Sequence, residues 1–251
     1  MVVLRAVASE IVAAVSHLAR YPTAIGRRWA IQADQGAAVP QRPLVVLPGL
    51  ADNTSIFTDL KRALEQCGAG PIVSFGYSPL IGDVRTAAGR LAEQVEQLCA
   101  VTGAATVDLV GHSLGGLIAR YYVQRLGGHA RVAIAVTIAT PHAGTLAAWL
   151  LSPLPLVRQL RPGSELLAEL EEPAPGCTTR FITYSSDTDQ LILPARNGRL
   201  EHPGLRVRNI VVPDAGHLTL AVHPRVLTEI CALFQPEISP PETGNPVARS
   251  A

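Results

Sequence analysis

The sequence carries little charge and few aromatic side chains. Charged residues make up 16% of its 251 residues, below the roughly 25% typical of soluble domains, and aromatic residues make up only 4%. A net charge of +1 provides no basic surface for a phosphate backbone, and so few rings give bases little to stack on. We therefore expect no nucleic-acid partner.

Cysteine is also scarce, and its spacing fits no common metal or redox motif. The sequence has four cysteines, which stand far apart and form no CxxC pair: Cys67, Cys99, Cys177 and Cys231. This spacing argues against a zinc site and against a redox dithiol. We expect buried or partly buried thiols, with one or two disulfides as the alternative.

Long hydrophobic runs without interruption are missing as well. The longest uncharged stretch, 132–157, contains Pro141, Pro153 and Pro155, so no transmembrane helix is predicted. The first twenty residues repeat apolar side chains at helical spacing between charged ones, so residues 1–40 are predicted to be an amphipathic helix and lead-in rather than a signal peptide. The Pro-rich residues 236–251 are typical of a flexible tail. We expect a cytoplasmic or peripheral-membrane protein.

What the sequence does contain is a regular alternation of short apolar runs and longer helical patterns. Hydrophobic residues make up 48%, enough for a sizeable core. The pattern predicts strands at 43–48, 71–75, 106–110, 132–139, 179–184 and 205–212, and helices at 55–66, 84–99, 117–126 and 224–234. Such alternation is typical of an α/β protein, a mostly parallel sheet with helices on both faces. We place this domain at 41–235, with its ligand at the carboxyl ends of the strands.

A G-x-S-x-G pentapeptide, Gly111 to Gly115, stands between the third strand and the following helix. A sharp strand-to-helix turn forces the central Ser113 into strained backbone angles, so its neighbours Gly111 and Gly115 must lack bulk. The turn exposes the hydroxyl and directs the N–H of Leu114 toward a developing oxyanion at the helix N-terminus. The pattern predicts a nucleophile elbow.

A serine nucleophile needs a histidine base, which in this architecture comes late in the chain. Five histidines follow Ser113, and three of them stand late in the chain: His202, His217 and His223. His217 stands in the turn after the last strand, where a base can reach the elbow. His202 precedes that strand and would lie at the wrong edge of the sheet, and His223 begins the final helix. We therefore predict His217 as the base.

The acid that orients the base should also follow a strand. The turn after the strand at 179–184 offers Asp187 and Asp189, and placement alone does not separate them. One of the two carboxylates is expected to brace the turn.

These motifs resemble the lipase and carboxylesterase branch of the α/β-hydrolase superfamily over about residues 44–220. The resemblance is carried by the LPGL sequence at 47–50, GHSLGG at 111–116, TPHAGT at 140–145, DQLI at 189–192 and the Gly-His pair at 216–217. It implies Asp189 as the acid, because an apolar run and a proline follow it, and it implies the backbone N–H of Leu50 as a second oxyanion donor. It calls for no metal and no organic cofactor.

The chain departs from this family at Pro48, where such lipases often have His-Gly after the first strand. His142, within the TPHAGT segment, precedes any candidate acid and is expected to be a structural loop residue. The apolar, proline-interrupted segment at about 146–172 predicts a cap or flap over an acyl pocket, with core packing as the alternative.

The sequence therefore predicts a serine hydrolase of carboxylic esters, with a small-molecule or lipid ester carrying an apolar acyl group as substrate. An acyltransferase or a thioesterase using the same triad is the alternative enzyme. A silent hydrolase-like binding module is the alternative of another class. Contact with a membrane or lipid interface is expected from the apolar segments.

Overall fold

The computed structural model describes residues 42–50, 54–77, 82–150 and 154–234. The helix predicted within 1–40 and the tail predicted at 236–251 lie outside the described residues.

The described residues form a single six-stranded sheet in which every strand pair is parallel. The strands occur in the spatial order β2-β1-β3-β4-β5-β6. Their bounds are β1 Leu44–Leu47, β2 Ile72–Ser74, β3 Val107–His112, β4 Val132–Ile138, β5 Arg180–Ser186 and β6 Arg206–Val212. This confirms the predicted α/β fold class, because parallel neighbours require crossover connections such as the helices between them.

The helices that connect and cover these strands follow the predicted order. Their bounds are α1 Thr54–Gln66, α2 Val84–Thr102, α3 Leu114–Arg125, α4 Ala147–Leu150, α5 Pro155–Arg158, α6 Glu165–Glu171 and α7 Pro224–Phe234. Short 3-10 turns occupy Gly128–Ala130, Ala195–Gly198 and Thr219–Val222. None of the described helices is both long and apolar enough to cross a membrane.

Strand β1 shows why both faces of the sheet are covered. Its side chains point alternately to opposite faces, so Val45 and Leu47 join one buried cluster while Leu44 and Val46 join another. The first cluster includes residues of α2, α3 and α6, and the second includes residues of α1 and α7. An uninterrupted apolar strand is what a sheet buried on both sides requires.

Two helix boundaries differ from the prediction by three residues. Helix α2 continues past Cys99 to Thr102, where Gly103 adopts a left-handed conformation with φ 71° and its N–H bonds to the Cys99 carbonyl. Helix α3 begins at Leu114 rather than Leu117, because the elbow turns directly into it. In both cases the end is set by backbone geometry rather than by apolar periodicity.

The expectation of free thiols is correct for two cysteines and wrong for the other two. Cys99 is a buried thiol and Cys177 a half-buried one. Cys67 and Cys231 form a disulfide across 164 residues of sequence, with their Cα atoms 5.7 Å apart. It joins the end of α1 to α7, two helices that pack on the same face of the sheet. Only this packing brings the two cysteines together.

The segment between β4 and β5 has an inner and an outer side. Ala147, Ala148, Leu156 and Val157 are buried, so part of the segment packs as core. Other apolar side chains of α4 face outward, and Trp149 is 57% exposed. Both alternatives for this segment thus apply in part, and its function as a cap stays a prediction.

Candidate active site

The turn from β3 into α3 has the geometry of a nucleophile elbow. Ser113 has φ 51° and ψ −119°, a conformation that non-glycine residues rarely adopt. A Cβ added to Gly115 would overlap the carbonyl oxygens of Leu47 and Pro48, and one added to Gly111 would lie 2.7 Å from the backbone of Gly115. The two predicted glycines are therefore required by close backbone approach.

His217 lies in the loop after β6 and bonds to a different residue through each ring nitrogen. Its Nε2 is 3.0 Å from Ser113 Oγ, and its Nδ1 is 2.9 Å from Asp189 Oδ2 and 3.1 Å from Oδ1. An ionised carboxylate only accepts hydrogen bonds, so Nδ1 carries the proton and Nε2 is free to accept the serine proton. The structure thus brings together all three residues predicted for the triad.

Asp189 is also held by the backbone that follows it. Its Oδ1 accepts hydrogen bonds from the backbone N–H groups of Leu191 at 2.8 Å and Ile192 at 3.0 Å. Burial raises the pKa of this carboxyl. The charge and hydrogen bond of His217, together with the two N–H groups, outweigh burial and leave the pKa below its usual value. Asp187, the competing candidate, is exposed.

The other histidines considered from the sequence lie elsewhere. The His142 ring is buried with Nε2 2.9 Å from Thr137 Oγ1, and burial, with the nearby Arg120 charge, places its pKa well below the usual value. His202 Nε2 bonds to the Glu172 carbonyl at 3.0 Å. The carbonyl of His223 accepts from an N–H in the first turn of α7. None of these three rings is hydrogen-bonded to Ser113.

The two predicted oxyanion donors, Leu114 and Leu50, differ in their surroundings. The backbone N–H of Leu114, at the first position of α3, donates to no group among the described residues, which leaves it available beside Ser113. Leu50 is half-buried at the exit of β1 and packs against the core. Its exit loop is braced at Pro48, whose carbonyl accepts a 3.0 Å hydrogen bond from the Tyr77 hydroxyl. The donor role of Leu50 stays a prediction.

His112 is a site residue that the sequence reasoning missed. Its buried Nε2 lies 3.1 Å from the backbone carbonyl of His217, and the two rings are 5.1 Å apart. Because a carbonyl oxygen only accepts hydrogen bonds, His112 Nε2 carries a proton and donates a hydrogen bond to the His217 carbonyl. The residue before the nucleophile therefore holds the backbone of the base. Its adjacency to Ser113 in the pentapeptide was the available signal.

Side chains also tie together the loops that carry the acid and the base. Thr188 Oγ1 donates to the Ala215 carbonyl at 3.1 Å, and the His217 N–H donates to Gln190 Oε1 at 3.4 Å. Thr145, the last residue of the TPHAGT segment, donates through Oγ1 to the Leu191 carbonyl at 2.6 Å. These bonds fix the distance between Asp189 and His217, and none has a local sequence signal.

Arg120 connects the nucleophile helix to the segment between β4 and β5. Its fully buried guanidinium donates to the carbonyls of His142 at 3.0 Å and Leu170 at 2.9 Å, and to the Glu171 carboxylate at 3.0 Å. Removing a partner from a buried charge is strongly destabilising, so these hydrogen bonds hold the accepting groups in place. The TPHAGT loop and the end of α6 are both held to α3 in this way.

The chemistry available at this site is acyl transfer through a serine. Among the described residues, no group of three or more His, Cys, Asp or Glu side chains is arranged to hold a metal ion. The groups that are present are a hydroxyl, an imidazole, a carboxylate and a helix N-terminal N–H.

Comparison with known families decides the relationship. The sequence model of the palmitoyl protein thioesterase family matches residues 43–170, about half of the chain. The chain belongs to the palmitoyl protein thioesterase family. The matched range includes the elbow and the TPHAGT segment, whereas Asp189 and His217 lie beyond it. No curated protein sequence matches this member of the palmitoyl protein thioesterase family.

Solved structures similar to this palmitoyl protein thioesterase family member include lipases. The mature form of the lipase BlEst2 from Bacillus licheniformis has a TM-score of 0.66 at 16% identity and covers 80% of this chain and 95% of its own. The product of the gene lin2722 from Listeria innocua has a TM-score of 0.60 at 18% identity, covering 81% and 97%. Lipase B from Aspergillus fumigatus has a TM-score of 0.65 at 16% identity, covering 74% and 51%.

At such low identity, these three likenesses establish the α/β-hydrolase fold alone. The family and the fold together identify the chain as an ester hydrolase of the α/β-hydrolase type.

Proposed function

We propose that this protein hydrolyses carboxylic esters through an acyl-enzyme formed on Ser113. The observation that carries the proposal is the pair of contacts made by one imidazole ring. His217 lies 3.0 Å from the serine oxygen on one side and 2.9 Å from the Asp189 carboxylate on the other. This is the relay that an unactivated hydroxyl needs in order to attack a carbonyl at neutral pH.

In the proposed reaction Ser113 Oγ attacks the ester carbonyl carbon while His217 Nε2 accepts the hydroxyl proton. The tetrahedral intermediate collapses as His217 gives that proton to the leaving alcohol, which departs and leaves the acyl group on the serine. Water then repeats the sequence and releases the acid. Asp189 holds the proton on Nδ1 and stabilises the imidazolium formed in each half of the reaction.

The developing oxyanion is stabilised by backbone N–H groups in this proposal. Leu114 supplies the first donor from the N-terminus of α3, where the N–H is not used by the helix. Leu50 supplies the second from the exit of β1. Each donor of this kind contributes roughly 3 kcal/mol to transition-state stabilisation.

An apolar acyl group is the proposed substrate class. The sequence has no acidic side chain between Asp108 and Glu165, a stretch that includes the elbow and the TPHAGT loop. This leaves the edge of the sheet that carries Ser113 with apolar side chains and no carboxylate from this stretch. Each methylene buried there contributes on the order of 0.8 kcal/mol to binding.

A series of p-nitrophenyl esters of increasing acyl length tests the proposal, with Ser113→Ala as the inactive control. We expect kcat/KM to rise with chain length and hydrolysis to disappear in the variant. A fluorophosphonate probe should label Ser113 in the wild-type protein, because only an activated serine reacts. Activity that persists in Ser113→Ala, or an unlabelled Ser113, would contradict the mechanism.

A thioester is the second candidate substrate, and family membership favours it. The same attack, oxyanion and acyl-enzyme serve a thioester, and only the leaving group changes from an alcohol to a thiol. Matched oxygen esters and thioesters of the same acyl chain separate the two. A kcat/KM at least tenfold higher for the thioester would favour thioesterase function, and the reverse ratio would favour esterase function.

A further inference from the structure

Exposed large apolar side chains are concentrated in one region of the described molecule. Leu146 is 54% exposed, Trp149 57%, Leu150 72% and Leu193 37%. We refer to these four residues as the apolar rim. Isolated exposed leucines are common on proteins, whereas a group that includes a tryptophan indicates an interaction surface.

Backbone hydrogen bonds join the two segments that carry the apolar rim. The N–H of Leu146 donates to the carbonyl of Leu193 at 2.9 Å, and the N–H of Trp149 donates to the carbonyl of Leu146 at 3.1 Å. Leu150 follows Trp149 at the end of α4. Two segments that are distant in sequence therefore lie side by side, and both carry exposed apolar side chains.

The apolar rim lies at the edge of the sheet that carries the triad. Leu193 belongs to the same loop as Asp189. Thr145 Oγ1 donates a hydrogen bond to the Leu191 carbonyl at 2.6 Å and accepts one from the Leu193 N–H at 3.0 Å. A surface that contacts the apolar rim therefore lies near the edge of the sheet where Ser113 stands.

The two segments that carry the apolar rim contain charges of one sign only. Residues 143–164 and 190–200 contain no Asp or Glu, but they include four arginines: Arg158, Arg161, Arg196 and Arg199. The Arg161 guanidinium lies 4.2 Å from the centre of the Trp149 ring, so charge and aromatic surface are in direct contact. Apolar side chains surrounded by arginines are complementary to an anionic lipid surface.

We propose that the apolar rim docks this protein onto a bilayer that contains anionic phospholipid. Trp149 and Leu150 enter the boundary between headgroups and acyl chains, while the surrounding arginines contact lipid phosphates. Docking goes beyond ester cleavage, because it concerns the surface on which the enzyme works. It would reduce the distance that a lipid-borne acyl group must travel to reach Ser113.

Co-sedimentation with vesicles tests the proposal. The vesicles are phosphatidylcholine alone or phosphatidylcholine mixed with phosphatidylglycerol, and the protein is the full chain. We expect wild-type protein to bind the mixed vesicles and to bind them less as salt increases. The double variant Trp149→Gln/Leu150→Gln should bind at least about tenfold more weakly, because two large apolar side chains no longer enter the lipid.

A matched control comes from the opposite end of the sheet. Val101 and Leu126 are 67% and 42% exposed at the C-terminal ends of α2 and α3, and the double variant Val101→Gln/Leu126→Gln should bind vesicles as wild type does. Arg196→Gln/Arg199→Gln should weaken binding to mixed vesicles and leave weak binding to phosphatidylcholine unchanged. Equal binding by the Trp149/Leu150 variant and wild type, or equal loss in the control, would overturn the proposal.

Two further measurements separate docking from catalysis. Ser113→Ala should bind vesicles with wild-type affinity, so docking remains measurable even if ester hydrolysis is not the function. The Trp149/Leu150 variant should hydrolyse p-nitrophenyl acetate at the wild-type rate, because this soluble ester needs no lipid surface. A loss of acetate hydrolysis in that variant would indicate a role within the active site and would contradict a docking role.

Discussion

Replacing Asp189 with asparagine should reverse the hydrogen-bonding pattern of the base while leaving the loop folded. Asp189 Oδ1 accepts the N–H groups of Leu191 and Ile192, and an asparagine keeps these two bonds by placing its amide oxygen there. Its NH2 group must then occupy the position of Oδ2, which lies 2.9 Å from His217 Nδ1. An NH2 group cannot accept a hydrogen bond from Nδ1, and Oδ1, which lies 3.1 Å from Nδ1, already accepts two backbone N–H groups.

The expected loss follows from this change of tautomer. With a donor facing Nδ1, the ring carries its proton on Nε2 and can no longer accept one from Ser113. A change of this kind in a serine triad lowers kcat by about four orders of magnitude. KM should change little, because Asp189 is buried behind His217 and does not face the substrate.

The assay is steady-state hydrolysis of a p-nitrophenyl ester by wild type, Asp189→Asn and the control Asp187→Asn. The control replaces an exposed carboxylate two residues away and should retain wild-type kcat. Circular dichroism should show the same fold in all three proteins. More than a tenth of wild-type kcat in Asp189→Asn, or a large loss in Asp187→Asn alone, would refute the assignment of the acid.

The pKa of Asp189 gives the same variant a second measurable property. Because this pKa is lower in the folded protein than in the unfolded chain, the carboxylate contributes stability above the unfolded value of about 3.9. That contribution is lost as the pH falls through the folded pKa. The free energy of unfolding should therefore decline more steeply below pH about 4 in wild type than in Asp189→Asn, as measured by urea titrations.

Three further sets of substitutions test separate parts of the structure. His112→Gln, whose amide nitrogen can replace the ring Nε2, should retain most of the wild-type kcat, whereas the shorter His112→Asn should lose about tenfold or more with KM unchanged; equal kcat in both variants would remove the positioning role. Gly115→Ala should prevent folding, because a methyl group there overlaps two carbonyls at the end of β1. The control Gly89→Ala, in open space within α2, should raise the free energy of unfolding by about 1 kcal/mol in urea denaturation. Replacing Cys67 and Cys231 by serine should lower the free energy of unfolding by about 2–4 kcal/mol, since the disulfide closes a long loop. The kcat should not change, because the bond joins helices remote from the triad. Unchanged stability would mean that the bond does not form.

The fold and most of the site were predictable because their signals are local. The GHSLGG elbow encodes its own geometry in adjacent residues, and the run from Val107 to Val110 places it at the end of a strand. His217 could be selected because parallel strands place all their carboxyl ends at one edge of the sheet. Asp189 was chosen over Asp187 by resemblance, and the structure supplies the physical reason, since the buried Leu191–Ile192 backbone turns its N–H groups toward that carboxylate.

What the sequence could not show depends on contacts between distant segments. The disulfide joins residues 164 positions apart, and no spacing rule distinguishes it from the free thiols. The bracing of Pro48 by Tyr77 and of the His217 backbone by His112 arises only after the strands have aligned. Arginine is typical of protein surfaces, and only the four acceptors around Arg120 explain its burial.

The backbone conformation of Ser113 makes the folded protein less stable than a glycine at this position would. At φ 51° and ψ −119° a glycine would be comfortable, whereas any residue with a Cβ raises the energy of the folded state by about 1–3 kcal/mol. The most heat-resistant form of this chain is therefore expected to carry glycine at this position and to cleave nothing. A laboratory evolution experiment that selected only for thermal tolerance should therefore favour glycine over serine at position 113.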